Sequence, residues 1–170
     1  MDSVEEKSII TQYTDECIGM MKAAHIVLPK QATVNIYHHR GKARLAETGA
    51  MFINVVNRDY CKSVVVMTAG QSYPNHYHRI KTESFYVLHG ELTLTIDGEQ
   101  HKVLPGELMH IERGQDHAFS TDKGVVFEEI STVYMPNDSV YTDDDIAKTN
   151  YTQRRTTLNS DEWKEITENA

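Results

Sequence analysis

Regularly spaced glycines divide residues 84–124 into short runs, and this spacing constrains the fold more than any other feature. The runs alternate apolar and polar side chains, so that Leu92, Leu94 and Ile96 share one face of a strand. Asp97-Gly98 is a strong signal for a two-residue hairpin turn. The runs end 8 to 10 residues apart, at Gly90, Gly98, Gly106, Gly114 and Gly124. This spacing is typical of an antiparallel sandwich or barrel.

The segments on either side follow different patterns. Residues 4–24 carry apolar side chains at helical spacing, and a polar arm or loop leads from there to the strand-rich region. Two β-branched runs, MFINVV and CKSVVVMTA, begin at Met51. A last short helix is expected from Ser160, acting as N-cap, with Trp163 packed on the barrel. We predict one domain in three parts: an N-terminal helix and arm (1–50), a barrel core (51–135) and a C-terminal extension (136–170).

The composition limits the classes of function. The chain has 170 residues, of which 39% are hydrophobic and 25% charged, and this suits one globular domain with its own core. A formal net charge of −8 argues against nucleic acid or an anionic membrane as a partner. The N-terminus, MDSVEEKS, lacks the apolar segment of a signal peptide, and no run is long enough to span a bilayer. We expect a cytoplasmic protein whose cysteines, Cys17 and Cys61, are reduced and buried.

The stretch NHYHRIKTE, residues 75–83, concentrates ionisable side chains within a strand region. Alternate residues of a strand share a face, so His76 and His78 present two imidazoles side by side. An uninterrupted strand would put Glu83 on the opposite face, and a bend at residues 79–80 would return it to the histidines. Glu83 then lies on an apolar, inward-facing row, where an uncompensated carboxylate costs several kcal/mol. A cation is its natural partner.

His117 is the fourth candidate ligand. It follows the Gly114 turn, and antiparallel folding of the intervening short strands can bring it beside His76, His78 and Glu83. Three imidazoles and one carboxylate suit a divalent transition metal such as Mn²⁺, Fe²⁺, Co²⁺, Ni²⁺ or Zn²⁺, and manganese is our first expectation. Coordination positions left open would make the metal catalytic.

Two motifs in this region resemble those of the cupin superfamily. In the first, Gly70 is followed after five residues by His76-x-His78, after four more by Glu83, and after six more by Gly90. The second runs from Gly106 through Gly114 to His117, with a glutamate at position 112 where the motif has proline. The resemblance implies a mainly β fold, a double-stranded β-helix or jelly roll, with an N-terminal helix and a short C-terminal helix. It also implies a metal held by His76, His78, Glu83 and His117.

A narrower resemblance extends over about residues 57–145. The pattern His-x-His-x-x-Lys-x-Glu, which includes Lys81, is similar to that of D-lyxose isomerase-like cupins. Those enzymes also carry a late glutamate followed by serine and an Asn-Asp stretch, which are matched here by Glu129, Ser131, Asn137 and Asp138. Other segments look like small cupins associated with sialic acid synthase-like enzymes. Small cupins of this kind commonly dimerise, and we expect a homodimer.

The same residues supply what an aldose–ketose isomerase needs. Isomerisation moves a proton between adjacent carbons through an enediol, so it requires a base and a cation that stabilises negative oxygen. Glu129 shares an inward face with Val125 and Phe127, where burial would raise its pKa and suit it as the base. Lys81 could steady the enediolate or carry a proton. We therefore assign Lys81 and Glu129 as catalytic residues and a small sugar as the substrate.

Structural alternatives remain open for both residues. Glu129 could simply form a buried ion pair with Lys81 or Lys62, and Lys81 could be an exposed charge at a strand end. The neighbouring Glu128 is expected on the opposite, solvated face. The other histidines are expected outside the site: a solvated loop for His38-His39-Arg40, exposed positions for His89 and His101, and a core or surface position for His110.

Three other functions fit the same motifs. An Fe²⁺ cupin oxygenase would use the same ligands to activate O₂. A non-catalytic metal- and sugar-binding cupin, accessory to nonulosonate (sialic acid-like) synthesis, would bind without turnover. A phosphosugar isomerase would need a basic cluster at the pocket mouth, for which the candidates are Arg58, Lys62, Arg79 and Lys81.

Overall fold

Twelve strands form two facing antiparallel sheets in the computed structural model of the protein, which describes residues 3–27, 29–135 and 137–169. The strands are β1 Thr33–Tyr37, β2 Ala50–Asn57, β3 Cys61–Met67, β4 Ser72–His78, β5 Glu83–Gly90, β6 Leu92–Ile96, β7 Glu99–Val103, β8 Leu108–Ile111, β9 His117–Ser120, β10 Val125–Ser131, β11 Ser139–Tyr141 and β12 Arg155–Leu158. One sheet has the order β12-β1-β2-β3-β10-β5-β8, and the other has the order β11-β4-β9-β6-β7. This is the predicted jelly roll.

Helices flank the barrel at both ends of the chain. The α-helices are α1 Ser3–Ala23, α2 Asp144–Lys148 and α3 Ser160–Asn169, and short 3₁₀ turns span Lys42–Arg44 and Tyr151–Arg154. The expected N-terminal and C-terminal helices are therefore both present. None of the described helices is long and apolar enough to cross a membrane.

The space between the sheets is filled by the alternating apolar residues that the sequence indicates. Leu92, Leu94 and Ile96 of β6 face Phe85 and Phe127 of the opposite sheet in one buried cluster. The turn after β6 has the predicted hairpin geometry, since Asp97 and Gly98 both have positive φ (50° and 85°). The interior is therefore apolar at its centre.

The outer face of the larger sheet is buried as well. Val64 and Val66 of β3 point to a second cluster that contains side chains of α1 and α3, whereas Val65 points into the barrel. A strand buried on both faces has no polar alternation, which explains the continuous run VVV. Trp163 of α3 is fully buried in the outer cluster and donates from Nε1 to the Pro29 carbonyl oxygen at 2.8 Å, so the predicted packing of this residue is confirmed.

The flanks of the chain differ from expectation in two places. Residues 33–37 of the predicted arm form β1, which pairs with both β2 and β12, so the sheet extends beyond the predicted 51–135 core. The division into three parts stays a prediction. The predicted N-cap is wrong by one residue: Asn159 Oδ1, not Ser160, accepts from the Asp161 and Glu162 N–H groups at 2.9 and 3.1 Å.

The prediction of a solvated loop at His38-His39 is also wrong. Both imidazoles are buried: His39 Nε2 lies 2.8 Å from the Tyr141 hydroxyl, and His38 Nε2 lies 3.1 Å from Thr156 Oγ1. The β1–β12 pairing draws this turn inward, because the Arg154 carbonyl accepts from the His38 N–H at 2.8 Å. Burial, together with the nearby Arg154 charge, lowers the pKa of His39 to about 3.

The buried His39 imidazole predicts a pH-dependent stability. A folded-state pKa below the unfolded value of about 6.5 means that the unfolded chain alone binds the proton, so stability falls as pH drops below that value. Between pH 7 and pH 5 this contributes a loss of about 2 kcal/mol in the free energy of unfolding. Urea denaturation of the metal-free proteins measures this. Between pH 7 and pH 5, the free energy of unfolding should fall by about 2 kcal/mol less in His39→Gln than in wild type. Equal losses in the two proteins would contradict this environment for His39.

Candidate metal centre

The two sheets bring four candidate ligands together inside the barrel. His76 and His78 lie on β4 and His117 lies on β9, the neighbouring strand in the same sheet. Glu83 begins β5 in the opposite sheet. One ligand atom from each of the four residues lies within 4.8 Å of the others, and all four side chains are buried. The four predicted ligands therefore form one cluster that spans the barrel.

A β-bulge sets the direction of the histidines. The register of β4 against β9 pairs Tyr73 with Phe119 and His76 with His117, so β4 carries one extra residue between these two pairs. Tyr73 and His76 are three positions apart, yet both are buried toward the interior because of this bulge. Pro74 lies in the bulge, where a strand tolerates a residue without an N–H.

The predicted bend before Glu83 is held by Asp138. Its carboxylate accepts three backbone hydrogen bonds: Oδ1 from Arg79 and Ile80 at 3.0 and 2.9 Å, and Oδ2 from Lys81 at 3.1 Å. The chain between β4 and β5 is thereby folded around one buried carboxylate. The bend returns Glu83 to the side of the barrel that His78 faces.

The imidazoles are oriented as metal ligands are. Nδ1 of His76 lies 2.9 Å from the Pro74 carbonyl oxygen, and Nδ1 of His117 lies 3.0 Å from the Gln115 carbonyl oxygen. A ring that donates from Nδ1 carries its lone pair on Nε2, and this backbone contact fixes both the tautomer and the ring orientation. Burial, with His117 and His78 adding to it, holds the pKa of His76 well below its ordinary value, so the ring is neutral and able to coordinate.

Several buried atoms of the cluster lack aligned hydrogen bonds. Glu83 Oε1 lies 2.8 Å from His117 Nε2 and 3.3 Å from His78 Nε2, but neither contact has hydrogen-bond alignment. Buried polar atoms are normally satisfied, and unsatisfied ones converging on a point indicate a missing partner. A divalent cation satisfies them, so the residues fit the predicted metal. The choice of manganese stays a prediction.

Lys81 and Glu129 extend the cluster as a chain of buried charges. Lys81 Nζ lies 2.6 Å from Glu83 Oε2 and donates to Glu129 Oε1 at 2.8 Å. The alternative of an exposed Lys81 is therefore wrong. The alternative of an ion pair between Glu129 and Lys81 is confirmed, whereas Lys62 pairs with Glu128 at 2.7 Å on the opposite face.

These contacts shift the pKa of each group. Burial disfavours the charged form of Lys81, but Glu129 and Glu83 outweigh it and hold its pKa above the ordinary value. Burial opposes ionisation of Glu83 too, and Lys81 with the two histidines holds the Glu83 pKa well below the ordinary value. Glu129 has less compensation, so burial raises its pKa. The two carboxylates thus differ in proton affinity: the pKa of Glu83 is lowered, and that of Glu129 is raised as the sequence predicts.

A cavity of about 530 Å³ opens on this group. Strand pairing places Asn54, Ser63 and Glu129 side by side across β2, β3 and β10, on the inner face of the larger sheet. Asn54 Oδ1 accepts from Ser63 Oγ at 3.0 Å, so these side chains are fixed. Further polar residues line the cavity at Asn35, Ser131 and Thr157. The wall next to Glu129 therefore offers hydroxyl and amide groups.

Tyr141 is a buried neighbour of the candidate ligands that the sequence did not indicate. Its ring stacks on His76, with centroids 5.3 Å apart and planes at 25°, and its hydroxyl lies 3.3 Å from that of Tyr73. The short strand β11 places it there, pairing Tyr141 with His76 and Ser139 with His78. Strand β11 lies in a polar, acidic stretch with no strand signal, so only tertiary pairing identifies it.

The remaining candidates lie outside the centre. His110 is exposed, with Nδ1 2.8 Å from Ser84 Oγ, and His89 is exposed as predicted. Tyr73 lines the cavity and stacks on Phe119 with centroids 4.6 Å apart. The basic cluster that a phosphosugar isomerase would need does not form in the described part of the chain. Lys62 and Lys81 are paired with carboxylates. Arg58 and Arg79 are exposed and do not line the cavity.

Comparison with known proteins agrees with this geometry. Residues 63–133 match the Cupin_2 family model, described as a cupin domain. The matched residues lie within the jelly roll, so this barrel is similar to a cupin domain. The chain is similar to D-lyxose/D-mannose isomerase of Thermosediminibacter oceani, with 25% identity over 168 residues that cover 81% of this chain and 93% of the isomerase.

Two further proteins are similar, one over a short part of the sequence and one in fold. Quercetin 2,3-dioxygenase of Bacillus subtilis is 34% identical over 53 residues, which are 31% of this chain and only 16% of that enzyme. The crystal structure of L-ribose isomerase from Geodermatophilus obscurus superposes with a TM-score of 0.67 and 15% identity, covering 82% of this chain and 93% of the other. This superposition shows a common fold.

Removal of one ligand should abolish tight metal binding. His78→Ala deletes an inward imidazole. We expect Mn²⁺ affinity to fall by more than about 100-fold, because losing a hydrogen-bond partner of a ligand alone costs about 10- to 100-fold. Calorimetric titration of the metal-free protein measures it. The matched control is His110→Ala, an exposed histidine, which should bind like wild type. Equal affinities in wild type and His78→Ala would contradict the site.

Asp138 should act on the metal through the bend that it holds. In Asp138→Asn one of the two acceptor oxygens becomes an amide donor, so the backbone hydrogen bonds at residues 79–81 cannot all be kept. We expect Mn²⁺ affinity to fall about 10- to 100-fold while the fold is retained, as judged by circular dichroism. Asp144→Asn, on the exposed helix α2, is the control and should leave affinity unchanged. An unaltered affinity in Asp138→Asn would refute the positioning role.

Proposed function

We propose that the protein is a divalent-metal-dependent sugar isomerase, similar to D-lyxose isomerase, that interconverts an aldose and a ketose through an enediol. The observation that carries the proposal is the buried Lys81–Glu129 pair, which touches the ligand cluster through Glu83 and lines the same cavity. A structural metal site needs no such pair. The roles of His76, His78, Glu83 and His117 as ligands are part of the proposal.

Glu129 is the proposed base. Its Oε1 accepts from Lys81, whereas Oε2 makes no hydrogen bond within the described residues. Burial raises the pKa of this carboxyl, which favours a group that both takes and returns a proton. Glu129 Oε2 takes the proton from the carbon next to the carbonyl and returns it to the former carbonyl carbon, while the hydroxyl proton moves between the two neighbouring oxygens.

Lys81 has two proposed roles. Its ammonium holds Glu83 Oε2, so that the ligand oxygen Oε1 stays directed at the imidazoles. It also brings positive charge to the cavity wall beside Glu129, where negative charge develops on substrate oxygens. A bound divalent metal supplies Lewis-acid polarisation of the adjacent carbonyl and hydroxyl oxygens.

The cavity wall favours a polyhydroxylated substrate. Asn54 and Ser63 continue the strand-pairing row of Glu129, with neighbouring strands about 4.8 Å apart. A row of hydroxyl and amide groups along one wall can hydrogen-bond to several hydroxyl groups of one sugar chain. The two similar isomerases are named for D-lyxose, D-mannose and L-ribose, and these sugars are the first substrates to test.

Glu129→Gln should separate catalysis from metal binding. Turnover of D-lyxose, D-mannose and L-ribose is followed by ketose formation with Mn²⁺-loaded enzyme, and EDTA should abolish it. The variant cannot accept the proton, so we expect kcat to fall about 100- to 10,000-fold with Mn²⁺ affinity retained.

The neighbouring residue provides the control for this experiment. Glu128→Gln changes a carboxylate on the opposite face, paired with Lys62, and should keep wild-type kcat. If Glu129→Gln turns over like wild type, the assigned base is wrong. If none of these sugars, nor D-mannuronate or D-mannose 6-phosphate, reacts with metal-loaded wild type, the isomerase proposal is wrong.

One observation favours a second candidate, an Fe²⁺ oxygenase. A stretch of 53 residues of this chain is similar to quercetin 2,3-dioxygenase. The same three histidines and one glutamate also suit Fe²⁺ as ligands. Oxygen consumption by the Fe²⁺-loaded protein in the presence of a polyphenol would support this function. The ion pair of Lys81 with Glu129 has no role in it, so we rank it second.

A further inference from the structure

A single arginine lines the cavity away from the candidate metal centre. Arg155 begins the edge strand β12, and its half-buried guanidinium contacts two tyrosines. Nη1 donates to the Tyr134 hydroxyl at 3.3 Å and to the Tyr151 hydroxyl, and Cζ lies 3.9 Å from the centre of the Tyr151 ring. These contacts hold the guanidinium at the cavity wall.

The charge of Arg155 is not balanced locally. Within the described residues no carboxylate oxygen lies within 4.0 Å of its guanidinium, and its hydrogen-bond partners are neutral hydroxyls. The other cationic side chain of the cavity, Lys81, contacts both Glu83 and Glu129. A half-buried cation without a counter-charge favours an anion.

The summed charge of the cavity lining also favours an anion when a bound metal ion is included. Its lining contains three carboxylates, on Glu83, Glu129 and Asp138. Opposite them are Lys81, Arg155 and a divalent cation, so one positive charge is left over. A negatively charged ligand offsets it. The planar fork of arginine matches the two oxygens of a carboxylate or phosphate, and such charge-assisted pairs are the stronger hydrogen bonds.

We propose that the substrate is an acidic sugar, carrying a carboxylate or a phosphate, and that Arg155 binds this anionic group. The proposal rests on the proposed isomerase function, since the metal cluster would hold the reacting carbons. Arg155 lies on β12, whereas the ligands lie on β4, β5 and β9, so the anionic group and the reacting carbons occupy different parts of one cavity. This anion site at Arg155 is different from the basic cluster that a phosphosugar isomerase was expected to have, because that cluster did not include Arg155.

A matched set of three sugars tests the proposal. D-mannose, D-mannuronate and D-mannose 6-phosphate differ only at carbon 6, which is part of a hydroxymethyl group, a carboxylate or a phosphorylated hydroxymethyl group. Dissociation constants are measured by calorimetry with Mn²⁺-loaded protein carrying Glu129→Gln, so that turnover adds no heat. The same titrations are repeated with three double variants, in which Glu129→Gln is combined with Arg155→Gln, Arg155→Lys or Arg58→Gln. Arg58 is an exposed arginine outside the cavity lining, so it serves as the control.

We expect at least one anionic sugar to bind about 10- to 100-fold more tightly than D-mannose, and the better of the two identifies the anion. Arg155→Gln should remove this preference without weakening D-mannose, Arg155→Lys should keep part of it, and Arg58→Gln should keep all of it. Equal binding of the three sugars, equal weakening of all three by Arg155→Gln, or no binding at all would overturn the proposal. An anion preference that depends on Arg155 in a protein without isomerase activity would support the anion site and refute the proposed function alone.

Discussion

The buried carboxylate of Glu83 is the group on which the rest of the site depends. Its side chain is 2% exposed, and its two oxygens face different partners. Oε1 is directed at the imidazoles of His78 and His117, and Oε2 at the ammonium of Lys81. A charge this deeply buried is tolerated only when every partner is present, and loss of one partner leaves an uncompensated charge. Lys81 needs Glu129 for the same reason, so the Lys81–Glu129 pair and the candidate metal ligands form one electrostatic unit.

This unit also joins the two sheets of the barrel. The imidazoles come from β4 and β9 of the smaller sheet, and the carboxylates come from β5 and β10 of the larger one. Asp138 and Tyr141, from the segment after β10, complete it by holding the bend before Glu83 and by stacking on His76. Metal binding should therefore be coupled to the packing of the sheets, because the metal replaces contacts that otherwise leave buried atoms unsatisfied.

The sequence predicts the centre of the molecule well because local rules apply there. Period-2 alternation, the Asp97-Gly98 turn and the spacing of His76, His78 and Glu83 are features within one strand or one turn, and the structure has all of them. His117 could be placed beside them because short antiparallel strands leave few alternative arrangements.

The periphery could not be predicted because it is defined by pairing between distant segments. Strands β1 and β12 are about 120 residues apart in the chain, and their pairing both buries His38 and His39 and brings Arg155 to the cavity. The bulge at Pro74 likewise exists only relative to β9. Neither register nor burial of this kind is visible in a single segment, so the polar arm was expected to be solvated.

The central claim is that four residues from two sheets bind one metal ion next to Lys81 and Glu129. A crystal structure of the protein grown with Mn²⁺, with an anomalous difference map, measures this most directly. We predict one strong peak per chain, bonded to His76, His78, His117 and one oxygen of Glu83, with Glu83 Oε2 still paired to Lys81. A peak at another position, or no peak in the barrel while Mn²⁺ is in excess, would contradict the account.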